Sequence, residues 1–401
     1  MRLYKALIDR LKIATQFGVD TLLLVTRPRQ VAERILIVRL DGIGDFVLWL
    51  DAARATVSHY KAQGGSVIFV AHAQWADWAE ELGIFDEVIP LNRRRFNTEL
   101  LYRYRFGRRI RRLGCVVAIN PTFSREWLYG DAVIRICGAQ QRIGSTGDLS
   151  NIAPWQRRLS NRAYTRLISA GPSARMELIR NAEFVRGLGE AGYRAKVADL
   201  HTMTAQKPNK AFIAANSDDQ PYYVLFPGSS VSGKRWSLAS FAQLADHIFR
   251  QTGWRGVVCG GDEDAELAQR LCIQCASPLL NWAGRTDLTQ LTAILSKSQL
   301  LVANDTSATH IAAACGVPSV CIVGGGHDGR FLPYQIEEDD DRPLPRVLIH
   351  RMPCFGCNWK CIYGEPGGRP FPCIDQVTVA EVWREVSEIL RSSVLDGSQR
   401  S

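Results

Sequence analysis

Short runs of β-branched and aliphatic residues alternate with amphipathic segments along most of this 401-residue chain. The runs lie at Arg34–Leu40, Ser66–Ala71, Cys115–Ile119, Tyr222–Phe226, Trp254–Cys259, Leu300–Ala303 and Ser319–Val323. Helical patterns such as Ser240–Phe249 and Asp264–Cys272 fall between them. A continuously apolar strand has both faces covered, which calls for a parallel sheet with helical crossovers. The alternation restarts near Tyr222 after the polar stretch Ala205–Pro221, and the chain is too long for one ordinary core. The expected fold is α/β, with two Rossmann-like domains whose parallel sheets face a central cleft. The expected boundaries are a basic amphipathic extension over 1–33, domains over 34–205 and 206–375, and a C-terminal helix and tail over 376–401.

Hydrophobic residues make up 46% of the chain and charged ones 22%, as in a globular protein. No apolar run approaches the length of a membrane span, and Thr21–Val25 is too short for a secretion signal. Eleven cysteines, mostly in apolar runs of a long chain, fit a reduced compartment better than a disulfide scaffold. The formal net charge of +9 is local in origin. Residues 93–112 hold Arg93, Arg94, Arg95, Arg103, Arg105, Arg108, Arg109, Arg111 and Arg112, with Glu99 the only acid and Tyr102, Tyr104 and Phe106 interleaved. That run reads as a solvated helix face, or as a surface for an anionic glycolipid, a membrane or nucleic acid. Near the N-terminus Leu3, Leu7, Ile8 and Leu11 repeat at helical spacing among Arg2, Lys5, Arg10 and Lys12. This pattern suits an interfacial helix or one packed on the protein's own surface.

The first strand runs into Asp41-Gly42-Ile43-Gly44-Asp45, and a helical pattern follows at once. Glycines at such a turn let a ligand approach the backbone, and the new helix offers unpaired N–H groups. The spacing lacks the third glycine of a dinucleotide site, and the second strand leads into His72 where an acid would hold the ribose. With two carboxylates in the turn, it reads as a ligand-binding turn with an acid or base built in.

The second half carries the phosphate signals. Gly228–Lys234, GSSVSGK, has phosphate-loop spacing after a strand, but Arg235 stands where a nucleotidase would place the Mg²⁺-holding hydroxyl. The next helix starts late, around Ser237–Ser240, so Lys234 is expected in the loop. A Ser/Gly turn with Lys234 and Arg235 suits a pyrophosphate, or is a polar surface turn. Asn304–His310, NDTSATH, ends another strand and opens a helix over Ala308–Cys315. Asp305, Thr306 and Ser307 are candidate ligand groups or plain caps, and His310 lies one turn beyond Thr306. Strand Val257–Cys259 ends in Gly260-Gly261-Asp262-Glu263, whose carboxylates fit ribose hydroxyls, and another strand ends in Gly324-Gly325-Gly326. Cys354, Cys357, Cys361 and Cys373 have the character of a metal knuckle for zinc or iron, or of a thiol-lined loop without metal.

Taken in order, ILIVRLDGIGD, FPGSSVSGKRW, CGGDEDAE, NWAGRTDLTQL, NDTSATHIAAACGVP and the cysteine cluster resemble glycosyltransferase family 9, the heptosyltransferase-like enzymes of lipopolysaccharide synthesis. The resemblance runs from about Arg34 to Leu390. It implies a GT-B fold, with acceptor bound by the N-terminal domain and nucleotide-sugar by the C-terminal one. It also implies an inverting transfer of heptose or a related sugar to a lipopolysaccharide or other surface-glycan acceptor, with no cofactor needed for catalysis. Asp45 matches the family's catalytic aspartate, a general base for the acceptor hydroxyl. Ser229, Ser230 and Lys234 match its phosphate loop, Lys234 offsetting charge on the departing diphosphate. Asp305, Thr306, Ser307 and His310 match its donor motif, and Glu263 falls near its ribose-binding acid. The implied donor is ADP-heptose or a relative. The implied location is the cytoplasm, peripheral to the inner-membrane surface, with no nucleic acid as partner. Three features depart from the pattern: Ser307 where ADP-heptose enzymes usually have glycine, Asp51 in place of a proline, and the N-terminal extension. A GT-B nucleotide-sugar epimerase and a non-catalytic glycan- or nucleic-acid-binding protein are the alternatives.

Overall fold

The computed structural model describes residues 2–25, 28, 31–171, 174–201, 210–215, 220–364 and 367–398. Most of the linker expected at Ala205–Pro221 lies outside the described residues, as do the side chains of Arg2, Leu3, Lys5, Leu7, Ile8, Arg10 and Leu11. The chain divides into two compact units, Met1–Ser173 with Ile179–Ala195, and Ala174–Leu178 with Lys196–Ser401.

The first unit contains β1 (Val31–Arg39), β2 (Ser66–His72), β3 (Glu87–Leu91), β4 (Cys115–Asn120), β5 (Gln141–Ser145) and β6 (Arg166–Ile168). They form one parallel sheet in the order β3-β2-β1-β4-β5-β6. The second unit contains β7 (Tyr222–Phe226), β8 (Arg255–Val258), β9 (Leu279–Asn281), β10 (Leu301–Asn304), β11 (Ser319–Ile322) and β12 (Arg346–Leu348). Its parallel order, β12-β11-β10-β7-β8-β9, is the same pattern. Each sheet thus starts in its middle and is wound outward both ways. The connections reverse between β1 and β4 and between β7 and β10, and it is beyond the carboxyl ends of strands at such switch points that open parallel sheets bind their ligands. The turns after β1 and β7 carry the glycine-rich motifs, so both motifs fall at these switch points.

Burial explains which strands were visible in the sequence. Leu36, Ile37 and Val38 of β1 are fully buried, with Leu36 in register with Ile68 on one side and Ala118 on the other. In the second unit Tyr223, Leu225, Val258, Val302 and Ile322 share one core with the helix Leu238–Thr252. The terminal helix Val379–Ser398 adds Val382, Val386, Ile389 and Leu390 to that same core. Cys272 and Cys275, partly buried, pack against this core.

The N-terminal helix Arg2–Leu24 is part of the first unit, with Gln16, Asp20 and Leu23 buried. Asp20 accepts from Arg103 Nε at 2.6 Å and Nη2 at 2.7 Å, and from Arg135 Nη2 at 2.6 Å. Gly107 permits the approach, because a Cβ there would stand 2.3 Å from Leu23. The arginine-rich run is therefore no uniform solvated face. Arg103 and Arg111 are buried while Arg105, Arg108, Arg109 and Arg112 face solvent along the helix Leu100–Leu113.

Removing one carboxylate from two buried guanidiniums strands their charge, which in buried pairs costs about 3–5 kcal/mol. Asp20→Ala is expected to lose that much in a denaturant titration.

Candidate active site

In the first unit the helix Ile43–Lys61 begins just beyond β1, with Gly42 as its N-cap. The two carboxylates of this turn have different surroundings. Asp41 accepts from Arg39 Nε at 3.0 Å, and Arg39 is itself fully buried, 5.3 Å from the Trp49 ring, and donates to Asn181. The Asp41 carbonyl accepts from Trp75 Nε1 at 3.2 Å. Asp41 is thus the counter-ion of a buried arginine and fixes the turn. Asp45 is half-buried in the first helical turn, where anionic side chains are well placed. A Cβ on residue 42 would press within 3.2 Å of the Asp45 carboxylate, so Gly42 leaves that carboxylate its room.

In the second unit β7 leads into a loop that ends at Ser237, whose Oγ caps the helix Leu238–Thr252 by accepting from Ser240 N at 3.0 Å. Lys234 therefore projects from the loop, where its sequence places it. Its Nζ lies 3.5 Å from Asp305 Oδ2 and 4.0 Å from the centre of the Trp359 ring, and both charged side chains are nearly covered. Ser229 is buried; Ser230 is exposed. Arg235 braces the loop by donating to the Ser229 carbonyl at 3.1 and 2.8 Å.

Asn304, the last residue of β10, joins the two central strand ends. Its Oδ1 accepts from Trp236 N at 3.0 Å and its Nδ2 donates to the Pro227 carbonyl at 2.7 Å. Asp305 and Thr306 follow, before the helix Ser307–Ala314. Thr306 occupies the N-cap position but its side chain makes no cap bond, and its buried hydroxyl has no hydrogen-bond partner among the described residues. His310 is turned to Tyr334, with Nδ1 2.7 Å from the phenol oxygen and the rings stacked. Glu263 is exposed beyond β8. Its neighbour Asp264 is buried instead, accepting from Gly261 N at 3.2 Å, and burial raises its carboxyl pKa. A Cβ on Gly228 would meet Asp264 at 2.1 Å, so this glycine lets the β7 loop close on the end of β8.

Trp359 is a site residue that motif reasoning missed. Its one sequence signal is an isolated tryptophan between Cys357 and Cys361. Asn358 and Trp359 both adopt left-handed backbone, φ 48° and 60°, a strain of about 1–3 kcal/mol each. Backbone bonds from Gly356 N to the Gly325 carbonyl and from Asn358 N to the Gly326 carbonyl, 2.7 and 2.9 Å, hold the segment over the end of β11. A Cβ on Gly326 would stand 2.2 Å from the indole. Phe371 N donates to the Gly233 carbonyl at 2.7 Å, tying the same segment to the Lys234 loop.

Cys354, Cys357, Cys361 and Cys373, the candidates for a metal knuckle or a metal-free thiol loop, are brought together by the fold. All four line one small cavity, but Trp359, Tyr363 and Phe371 line it too. Among the described residues no group of three or more His, Cys, Asp or Glu side chains is arranged to hold a metal ion. Cys361 and Cys373 belong to the same apolar cluster as Phe355, Trp359 and Phe371, and burial pushes the Cys373 thiol pKa up.

Comparison with known proteins follows the same lines. The profile of glycosyltransferase family 9 (heptosyltransferase) matches residues 132–339. The chain is 29% identical over 113 residues to a lipopolysaccharide core heptosyltransferase, OpsX, of Haemophilus influenzae, covering 28% of this chain and 32% of that protein. The matched segment thus spans about a third of that relative. Among solved structures it resembles a family 9 glycosyl transferase of Veillonella parvula (TM-score 0.67, 19% identity, 92% of this chain and 100% of the other). It also resembles the E. coli ADP-heptose lipopolysaccharide heptosyltransferase II (TM-score 0.64, 17% identity, 90% and 99%). The fold is of GT-B type.

Burial lowers the His310 pKa from 6.5 to about 4, against a smaller opposing effect of Asp305. The unfolded chain therefore takes up this proton first as pH falls. The stability contributed by the neutral ring is full above pH 6.5 and is lost between 6.5 and about 4, on the order of 3 kcal/mol. His310→Gln is expected to flatten the pH dependence of urea unfolding across that window relative to the parent chain.

Proposed function

The chain belongs to glycosyltransferase family 9, and on that premise we propose that it transfers heptose or a related sugar, with inversion, from a nucleotide-diphospho-sugar to a lipopolysaccharide or related surface-glycan acceptor. The observation that carries this reading is the Lys234–Asp305 pair at the β7/β10 switch point, beside the buried Thr306 hydroxyl. An ammonium held there offers a point charge to a diphosphate, and the N–H groups opening the helix Ser307–Ala314 offer hydrogen bonds. Ser229, Ser230 and Ser307 complete the polar lining, and Glu263 is assigned to ribose hydroxyls. His310 supports the start of that helix from behind through Tyr334.

In this mechanism Asp45 accepts the proton of the acceptor hydroxyl as its oxygen attacks the anomeric carbon. The bond from that carbon to the diphosphate breaks, and Lys234 offsets the charge that develops on the leaving oxygens. The indole of Trp359 keeps water from one side of the ammonium, which strengthens its field at the phosphate. The E. coli heptosyltransferase WaaC has been solved with ADP and with ADP-2-deoxy-2-fluoro heptose, which supports an ADP-sugar as the donor to try first. The acceptor is assigned to the first unit, and the protein to the cytoplasmic side of the inner membrane as a peripheral protein.

A thermal-shift screen of ADP-, GDP-, UDP- and dTDP-sugars identifies the donor, since a ligand at a hundred times its Kd adds about 2.7 kcal/mol of stability. Asp45→Asn is expected to lower kcat by about 10²-fold or more while the donor-induced shift persists. Full transfer activity in the folded variant would remove Asp45 as the base. Turnover of donor to an epimer without acceptor would replace the transferase reading with an epimerase.

A further inference from the structure

The N-terminal helix Arg2–Leu24 and the short helix Pro154–Asn161 border an open groove of about 470 Å³ on the first unit. Ile13, Ala14, Phe17, Trp127, Trp155 and Leu159 line it. The rings form a row, with Phe17 stacked on Trp127 at 5.9 Å and Trp127 meeting Trp155 at 6.0 Å. Trp127 is buried at the base, while Phe17, Trp155 and Leu159 are 42%, 53% and 41% exposed. Residues 13 and 17, and 155 and 159, are each one helical turn apart, so both helices offer an apolar pair to the groove. Exposed aromatic area of this kind marks a contact surface.

Charge decides what covers it. Between Asp148 and Glu177 the chain carries Arg157, Arg158, Arg162, Arg166 and Arg175 and no acid. Arg158 and Arg162 are exposed on and just beyond the helix that bears Trp155 and Leu159. Arg135 lies against the groove's rings, 5.3 Å from the centre of Phe17 and 4.6 Å from that of Trp127. It also lines a second pocket, of about 720 Å³, with Arg111, Arg142 and Leu24. Arg142 donates to the carbonyl of Ala163, so that pocket adjoins the end of the Trp155 helix. An apolar groove flanked by the exposed Arg158 and Arg162 matches the layering of an anionic bilayer surface, where indoles sit at headgroup level and guanidiniums meet phosphates. Among the described residues no helix is long and apolar enough to cross a membrane.

We infer that this groove is a docking face for an anionic phospholipid surface. Phe17, Trp155 and Leu159 enter the headgroup layer, and Arg158 and Arg162 pair with lipid phosphates. The inference deepens the acceptor side of the proposed function, and rests on it for its purpose: docking brings the enzyme to a membrane-held acceptor.

The test is co-sedimentation of the full chain with vesicles of phosphatidylcholine plus phosphatidylglycerol, or of phosphatidylcholine alone, at low and high salt. The parent chain is expected to bind the anionic vesicles and to be released by salt. Trp155→Glu combined with Leu159→Glu, and separately Arg158→Glu combined with Arg162→Glu, are each expected to weaken that binding about ten-fold or more. Circular dichroism should show all three proteins folded. Absence of binding by the parent chain, or binding by both variants as tight as the parent's, overturns the inference. So does a dimer that Trp155→Glu dissociates in a chain that ignores vesicles, because a second copy then covers the groove. The donor thermal shift, measured on the same samples, separates the two readings. Donor binding without vesicle binding removes the docking face alone, and vesicle binding without any donor removes the transferase reading alone.

Discussion

Each sheet places its first strand in the middle, and the chain leaves β1 and β7 on one side but β4 and β10 on the other. Everything chemically distinctive in the protein follows from that reversal. It leaves uncovered backbone at the carboxyl ends of the central strands. There the sequence spends its short glycine turns, its caps and its charges. In the second unit one amide, Asn304 at the end of β10, satisfies two backbone groups of the β7 loop, at Pro227 and Trp236, and so fixes how far apart the two loops stand. The Lys234–Asp305 pair sits on that frame, with Trp359 above it.

A nearly covered ammonium needs a partner, and Asp305 supplies one at 3.5 Å, longer than an ideal ion-pair hydrogen bond. In the proposed reaction a diphosphate brings more negative charge than Asp305 does and takes over that role. The first unit solves the opposite problem. There Asp41 is committed to buried Arg39, and Gly42 gives the Asp45 carboxylate space in a helix's first turn. One carboxylate stiffens the turn, and the other is the group assigned to chemistry.

Much of this was legible before the structure, for physical reasons that can be named. β1, β7, β10 and β11 are buried on both faces and so appear as unbroken apolar runs. β3, β6, β9 and β12 lie at sheet edges and β5 beside one, where Glu87, Gln141, Arg142 or Arg166 interrupts the pattern. Lys234 was placed in the loop because Ser237 is a strong helix cap. The separate roles of Asp41 and Asp45 were not legible, because nothing in the spacing says that Arg39 is buried. Trp359 was hidden for a different reason: it reaches Lys234 through two left-handed residues and backbone bonds to glycines some thirty residues earlier. Arg103 looked like part of a solvated run, and only its contact with Asp20 shows that the N-terminal helix depends on it.

The most direct measurement is calorimetric titration of ADP, or of whichever nucleoside diphosphate matches the donor found by screening, into the parent chain, Lys234→Ala and Asp45→Asn. Loss of a charge-assisted contact to phosphate is expected to weaken binding about ten-fold or more in Lys234→Ala. Asp45→Asn, altered in the other unit, is expected to bind as the parent does. Unchanged affinity in Lys234→Ala, or loss of binding in Asp45→Asn, would contradict the assignment of the diphosphate to the β7/β10 switch point.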